Sequence, residues 1–174
     1  MSRPNLNELS EEARALLVSL IERYTTPQVV NTHWRAALAG VHTNPTEFLI
    51  FHRQFLSGLE DFLREQGELQ FVPLPAWNPA EPIPREFNIP STGIMRLRNL
   101  NPQISFSPEF DPENLSRFST LAELGEALMR RHNLVHRTVG GIMNNVRLSP
   151  IAPIFWPFHA FIDDIWSKWE EIFK

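Results

Sequence analysis

Apolar residues recur at helical spacing in five stretches of the chain. From Ser10 to Tyr24, Ala13, Leu16, Leu17, Leu20 and Ile21 fall on one face, and Glu11 and Glu12 sit where a helix dipole favours negative charge. Thr26-Pro27 opens a second helix carrying Val30, His33, Trp34, Ala37 and Leu38, with Gly40 as its stop. Asn44-Pro45-Thr46-Glu47 supplies an N-cap, a proline at the first helical position and an acid at the third. The helix it starts runs through Phe48, Phe51, His52, Phe55, Leu59 and Phe62 to Gly67. Thr120-Leu121-Ala122-Glu123 has capping-box form, and its helix reaches His136 or Thr138 before Gly140-Gly141 ends it. The last helix begins between Pro153 and Pro157 and carries Phe161, Ile165, Trp166 and Trp169. Nine prolines, with Gly93, fall between Pro73 and Pro112, a density that no long helix survives. The pattern predicts an all-α fold: a four-helix bundle interrupted by a proline-rich, irregular arm over 73–112, as one domain over 1–174.

Composition narrows the chemistry. The chain of 174 residues has no cysteine, which excludes disulfides, thiolate-bound zinc, iron–sulfur clusters and a catalytic thiol. Twenty acidic residues against sixteen basic ones create no basic field, so nucleic acid is not an expected partner. No apolar run approaches the ~20 residues that span a bilayer, and the first residues lack the apolar core of a secretory signal. A cytoplasmic protein without a membrane partner is expected. Exposed Trp and Phe near the C-terminus offer a face for a homodimer.

The six histidines carry the candidate chemistry, and all lie on or beside the bundle helices. His132 and His136 are four residues apart on one helix, so both rings leave the same face. His159 opens the final helix. His33, His42 and His52 come from the first half, which gives two sets of three. Neutral imidazole suits copper, zinc, iron and nickel, and three nitrogens per ion leave a position open for a small molecule. Spacing alone leaves two readings open: a metal site, or hydrogen-bonded histidines in a helical core.

The wording around those histidines resembles a known family. His132-Asn133-Leu134-Val135-His136, Val139-Gly140-Gly141-Ile142-Met143, Ser149-Pro150, Pro153 to Asp163 with Phe155-Trp156-Pro157-Phe158-His159, and then Ile165-Trp166 and Trp169 resemble the second copper-binding region of the tyrosinase superfamily. That superfamily includes tyrosinases, catechol oxidases and haemocyanins. Phe48-Leu49-Ile50-Phe51-His52-Arg53, with Phe55-Leu56 and Glu60, resembles the first copper region, and Leu74-Pro75-Ala76-Trp77-Asn78 the proline-tryptophan motif after it. The resemblance implies a histidine-lined dimetal site in the bundle core. His132, His136 and His159 would ligate one ion, and His33, His42 and His52 the other.

The resemblance further implies two copper ions that bind O₂, and an oxidase acting on phenols, o-diphenols or aminophenols in specialised metabolism rather than in bulk melanin formation. A small aromatic substrate and O₂ are then the partners. Asn133, with an upstream glutamate, Glu126 or Glu123, would hold a water that takes a phenolic proton. Phe158 and Arg137 would face the substrate, the arginine meeting an acidic group, while Phe51, Phe55, Phe155 and Trp156 add an aromatic wall. Two alternatives share the fold: a zinc-dependent, haemocyanin-like cyclopenase-type lyase performing a non-redox rearrangement of an alkaloid, and an O₂ carrier. The chain departs from the family pattern in places. Nine residues separate His33 from His42 where relatives have a longer loop; Phe158 replaces the first of two consecutive histidines; Ala152 replaces an acid. No cysteine is present for the thioether crosslink of many relatives, and no plug follows Trp169, so the cavity is expected to open to solvent unless the arm covers it.

Overall fold

Helices form where local capping chemistry starts them. Ser10 caps α1 (Glu11–Tyr24) by accepting from the Ala13 backbone N–H, and Thr26 caps α2 (Pro27–Leu38) through Val29. Asn44 accepts from both Thr46 and Glu47 at the head of α3 (Pro45–Glu65). Thr120 and Glu123 close a reciprocal capping box on α4 (Leu121–Val139). Only α5 (Phe155–Ile172) begins without a side-chain cap, held instead by the burial of Phe155, Trp156, Phe158 and Ile162. The computed structural model describes residues 2–89, 93 and 95–173; Met1, Pro90, Ser91, Thr92, Ile94 and Lys174 lie outside the described residues, and with them a short piece of the arm. Among the described residues the chain is all-helical, with α2 to α5 forming the bundle and α1 packed on α3.

The central helix, α3, packs along both α4 and α5, and Phe48, Leu49, Leu56, Leu59 and Leu63 form its buried stripe. Contact with α4 is close at one end. A Cβ on Gly125 would stand 2.4 Å from the Pro45 carbonyl oxygen, so only glycine lets α4 lie against the first turn of α3.

The proline-rich arm packs against the bundle. Leu74, Trp77, Ile83, Phe87, Leu97, Phe106 and Phe110 are buried in the common core. Trp77 donates its backbone N–H to Pro157, and the Arg98 and Asn99 N–H groups both reach the Val139 carbonyl, bracing the start of α5 and the end of α4. Residues 4–6 join the arm by Leu6 N–H to Ala76 and Ala76 N–H to Pro4, each 2.8 Å. No described helix is long and apolar enough to cross a membrane. Of the C-terminal aromatics, Trp169 is tied down by donating to the Phe118 carbonyl, while Phe173 stays exposed.

Candidate metal centre

Each half of the centre is built by a short-range constraint. In the first half, a tight turn over 39–43 joins α2 to α3, and His33 on α2 meets Phe51 and His52 on α3. His33 lies five residues before the end of α2 and His52 seven residues after the start of α3, depths of ~7.5 and ~10.5 Å at 1.5 Å per residue. His42, in the turn, closes over both: ring centroids stand 5.0 Å from His33 and 5.3 Å from His52. In the second half, His132 and His136 project from one face of α4 with centroids 4.3 Å apart, and His159, one turn into α5, faces His132 at 5.1 Å. The halves touch. His52 stacks on His159 at 4.5 Å and 17°, and His42 lies over His132 at 6.0 Å.

The nitrogen atoms decide what this hollow can hold. A carbonyl oxygen only accepts, so the Nδ1 atoms of His52, His136 and His159 must donate to Phe48, Met143 and Phe155 respectively. Nδ1 of His132 is held in the same way by the Asn133 side-chain oxygen at 3.0 Å. Each of these four rings is thereby fixed in the tautomer whose Nε2 lone pair faces inward. Nε2 of His52 and of His136 is buried without a partner, as is Nδ1 of His33 and of His42. The Nε2 atoms of His132 and His159 face each other 3.1 Å apart. Two lone pairs at that distance repel unless a cation lies between them. Two nitrogens each ~2.0 Å from one ion at 90–109° stand about 2.8–3.3 Å apart.

Ligand atoms of His33, His42 and His52 lie within 4.8 Å of one another, and so do those of His52, His132 and His159. His52 belongs to both sets, and His136 belongs to neither. Burial, reinforced by the neighbouring rings, holds the imidazoles neutral: His33 is pushed down to about 3, and His136, mainly by burial, to about 4. The fully enclosed His52, His132 and His159 are displaced in the same direction, again chiefly by burial. Neutral imidazole is the metal-binding form, so the donor set fits a pair of late transition-metal ions.

A pocket of about 230 Å³ opens onto the hollow from the side of His33, His42, His132 and His136. Its rim carries Asn133 and Arg137, one helical turn apart on α4, and its far wall is Met143, Asn144, Val146 and Ser149. The residues after α4 were not among those expected at the site. Their type gives no signal, but their place between His136 and His159 does. Gly141 makes that wall: a Cβ there would lie 1.7 Å from the Arg96 carbonyl oxygen, and its φ of +58° turns the chain back under His136.

Several expected positions lie elsewhere. Glu123 is occupied in the capping box, and Glu126 pairs with Arg130 on the solvent face of α4. At 100° per residue Glu123 points ~180° and Glu126 ~120° away from His132, so neither reaches the pocket. Phe158 is fully buried and stacks flat against His132 at 5.8 Å and 10°, backing the ring and not facing the pocket. Phe51, Phe55, Phe155 and Trp156 also pack behind the histidines; Phe155 lies 3.9 Å from His159. No described residue of the arm lines this pocket.

The family described as the common central domain of tyrosinase matches residues 98–172. Similarity to known proteins supports membership of the tyrosinase superfamily for the stretch 98–172. The chain is 33 % identical over 73 residues to Tyrosinase-like protein 1 of Margaritifera margaritifera, a match covering 42 % of this chain and 14 % of that one. It is 49 % identical over 39 residues to the tyrosinase of Streptomyces antibioticus and equally to that of Streptomyces lincolnensis, 22 % of this chain and 14 % of each. The matched stretch is thus about one seventh of the length of these curated relatives. No solved structure matches the chain. The similarity supports a tyrosinase-like type-3 copper function in general, and the histidine groups are compatible with a copper pair. The matched residues include His132, His136 and His159 but none of the first three histidines.

Proposed function

We propose that this protein is a dicopper oxidase that uses O₂ to oxidise o-diphenols or aminophenols, with His33, His42 and His52 holding one ion and His132, His136 and His159 the other. The observation that carries the proposal is the inward convergence of buried, unpartnered imidazole nitrogens, with two lone pairs 3.1 Å apart. The copper pair, when bound, supplies O₂ binding and the two-electron oxidation. The protein's contribution is geometric. Backbone carbonyls fix His52, His136 and His159, and Asn133 fixes His132, so the nitrogens are preorganised and bind without reorientation.

The pocket supports a one-ring substrate. Its volume of about 230 Å³ falls below the roughly 300–1,000 Å³ of larger ligand sites. Met143 and Val146 offer apolar contact to an aromatic ring, and Arg137, exposed on the rim, would meet a carboxylate on the substrate. Hydroxylation of a monophenol needs an acceptor for the phenolic proton. Among the described residues no carboxylate lines the pocket, which favours substrates that already carry two hydroxyls or an amine.

Metal content of protein purified without added metal, followed by O₂ uptake with catechol, tests the proposal. Two coppers per chain, a near-ultraviolet band when the reduced protein meets O₂, and catechol-dependent uptake are expected. Zinc with no such band, whatever copper is supplied, would move the protein to non-redox chemistry; the band without uptake would make it a carrier.

A further inference from the structure

Outside the pocket, the molecule contains a buried cluster of charges that ties the two halves of the centre together. Arg53 directly follows His52 on α3, and Asp163 lies one turn after His159 on α5. The Arg53 Nε–H donates to Asp163 Oδ1 at 2.5 Å, its guanidinium lies 3.3 Å over the Trp166 ring, and Nη1 reaches Glu170. The other oxygen of Asp163 accepts from Arg3 Nη2 at 2.8 Å. Arg3 Nη1 donates to Glu60 on α3 and to the Leu74 carbonyl, and its backbone N–H donates to Asp164. The side chains of Arg3, Glu60 and Asp163 are 11 %, 12 % and 8 % exposed.

An ion cluster of this kind adds little net stability over well-packed apolar residues, because desolvation offsets the Coulomb gain. What it imposes is register. Both oxygens of one carboxylate on α5 are claimed by two arginines, one on α3 and one bridging to α3, so sliding either helix breaks several charged hydrogen bonds together. One turn away, His52 and His159 form the stacked contact between the two halves. We infer that Asp163, with Arg53 and Arg3, is a positioning residue that sets the spacing of His52 and His159, and through them the distance between the two metals. The inference rests on the metal reading above.

The test compares wild type, Asp163→Asn, Arg3→Gln and a control, Arg14→Gln, all loaded with copper. Arg14 pairs with Glu86 at similar burial, tying α1 to the arm, and its other hydrogen bonds go to the Asn7 and Leu9 carbonyls. Chelator competition gives affinity, electron paramagnetic resonance gives the fraction of copper present as isolated ions, and thermal unfolding gives stability. A supporting residue behind a metal ligand typically governs affinity by about ten- to a hundredfold. The expected result is a loss in that range, with isolated-ion signal appearing, in Asp163→Asn and Arg3→Gln. Arg14→Gln lowers the melting temperature alone. Should Asp163→Asn fail to fold, Arg3→Gln carries the comparison. Equal affinity and a silent copper pair in a folded Asp163→Asn or Arg3→Gln would overturn the positioning role and leave the metal reading intact. A wild-type protein that binds no metal pair would overturn both.

Discussion

His132 and His136 share one face of one helix, four residues apart, whereas His33, His42 and His52 come from two helices and the turn between them. The first arrangement is local, so helical periodicity alone puts the rings together. The second depends on how α2 folds back along α3. The family match follows the same division, covering 98–172 and stopping short of the first three histidines. The nine-residue step from His33 to His42 is short for the family, yet ligand atoms of the three residues still lie within 4.8 Å of one another. Five residues of one helix and a tight turn replace a loop. A metal site of this type therefore depends on where nitrogens arrive, and the chain length between them is free to vary.

The strongest way to break that comparison is at His52, which belongs to both close sets. His52→Ala is expected to remove the first ion, to disturb the second through the lost contact with His159, and to abolish catechol-dependent O₂ uptake. His33→Ala and His136→Ala should each reduce metal content from two ions to one. Retention of both ions by His33→Ala, measured by elemental analysis after dialysis, would mean that His33 is not a ligand of the first ion.

Legibility of the molecule in its sequence divides along the same line between local and long-range causes. Asn44 and Thr120 start helices by hydrogen bonds to residues two or three away, and both starts were readable. The uncapped start of α5 was only bracketed, because burial of Phe155 and Trp156 sets it. The arm's prolines excluded a helix, but the contact of Trp77 with Pro157 that fixes its path spans eighty residues and leaves no local pattern. Phe158 was expected to face the substrate because it precedes His159; neighbours on a helix point ~100° apart, and it stacks behind His132 instead.

Acidification should affect both halves alike. His33, near 3, and His136, near 4, are depressed mainly by burial, so the unfolded chain takes up protons below about 6.5 while the folded chain does not. Stability of the metal-free protein is then full above about 6.5 and falls as the pH drops from there toward 4. The slope approaches ~1.4 kcal/mol per pH unit for each such ring. Urea unfolding at pH 7.5 and 5.5 measures it; equal midpoints would show that the rings are not held neutral.

On the pocket side of α4, Arg137→Gln should raise KM for a carboxylated catechol by about 1.4- to fivefold and leave catechol itself unchanged. The magnitude follows from the roughly 0.2–1 kcal/mol of an exposed ion pair. Equal effects on both substrates would place the guanidinium outside the binding contact.

The smallest expected effect lies on the opposite side of the same helix and sharpens the comparison most finely. Glu126 and Asn133 are both on α4, and the resemblance assigns both to the holding of a catalytic water. Asn133 is at the pocket rim with its oxygen on His132, whereas Glu126 pairs with Arg130 and its side chain is 63 % exposed. An exposed pair of that spacing contributes about 0.3–0.5 kcal/mol. Glu126→Gln should therefore leave kcat and KM for catechol unchanged and shift stability by no more than that amount. Asn133→Ala removes the oxygen that fixes the His132 tautomer and should weaken copper binding. A kcat loss in Glu126→Gln without a stability change would mean that α4 rotates its acidic face toward the substrate during turnover.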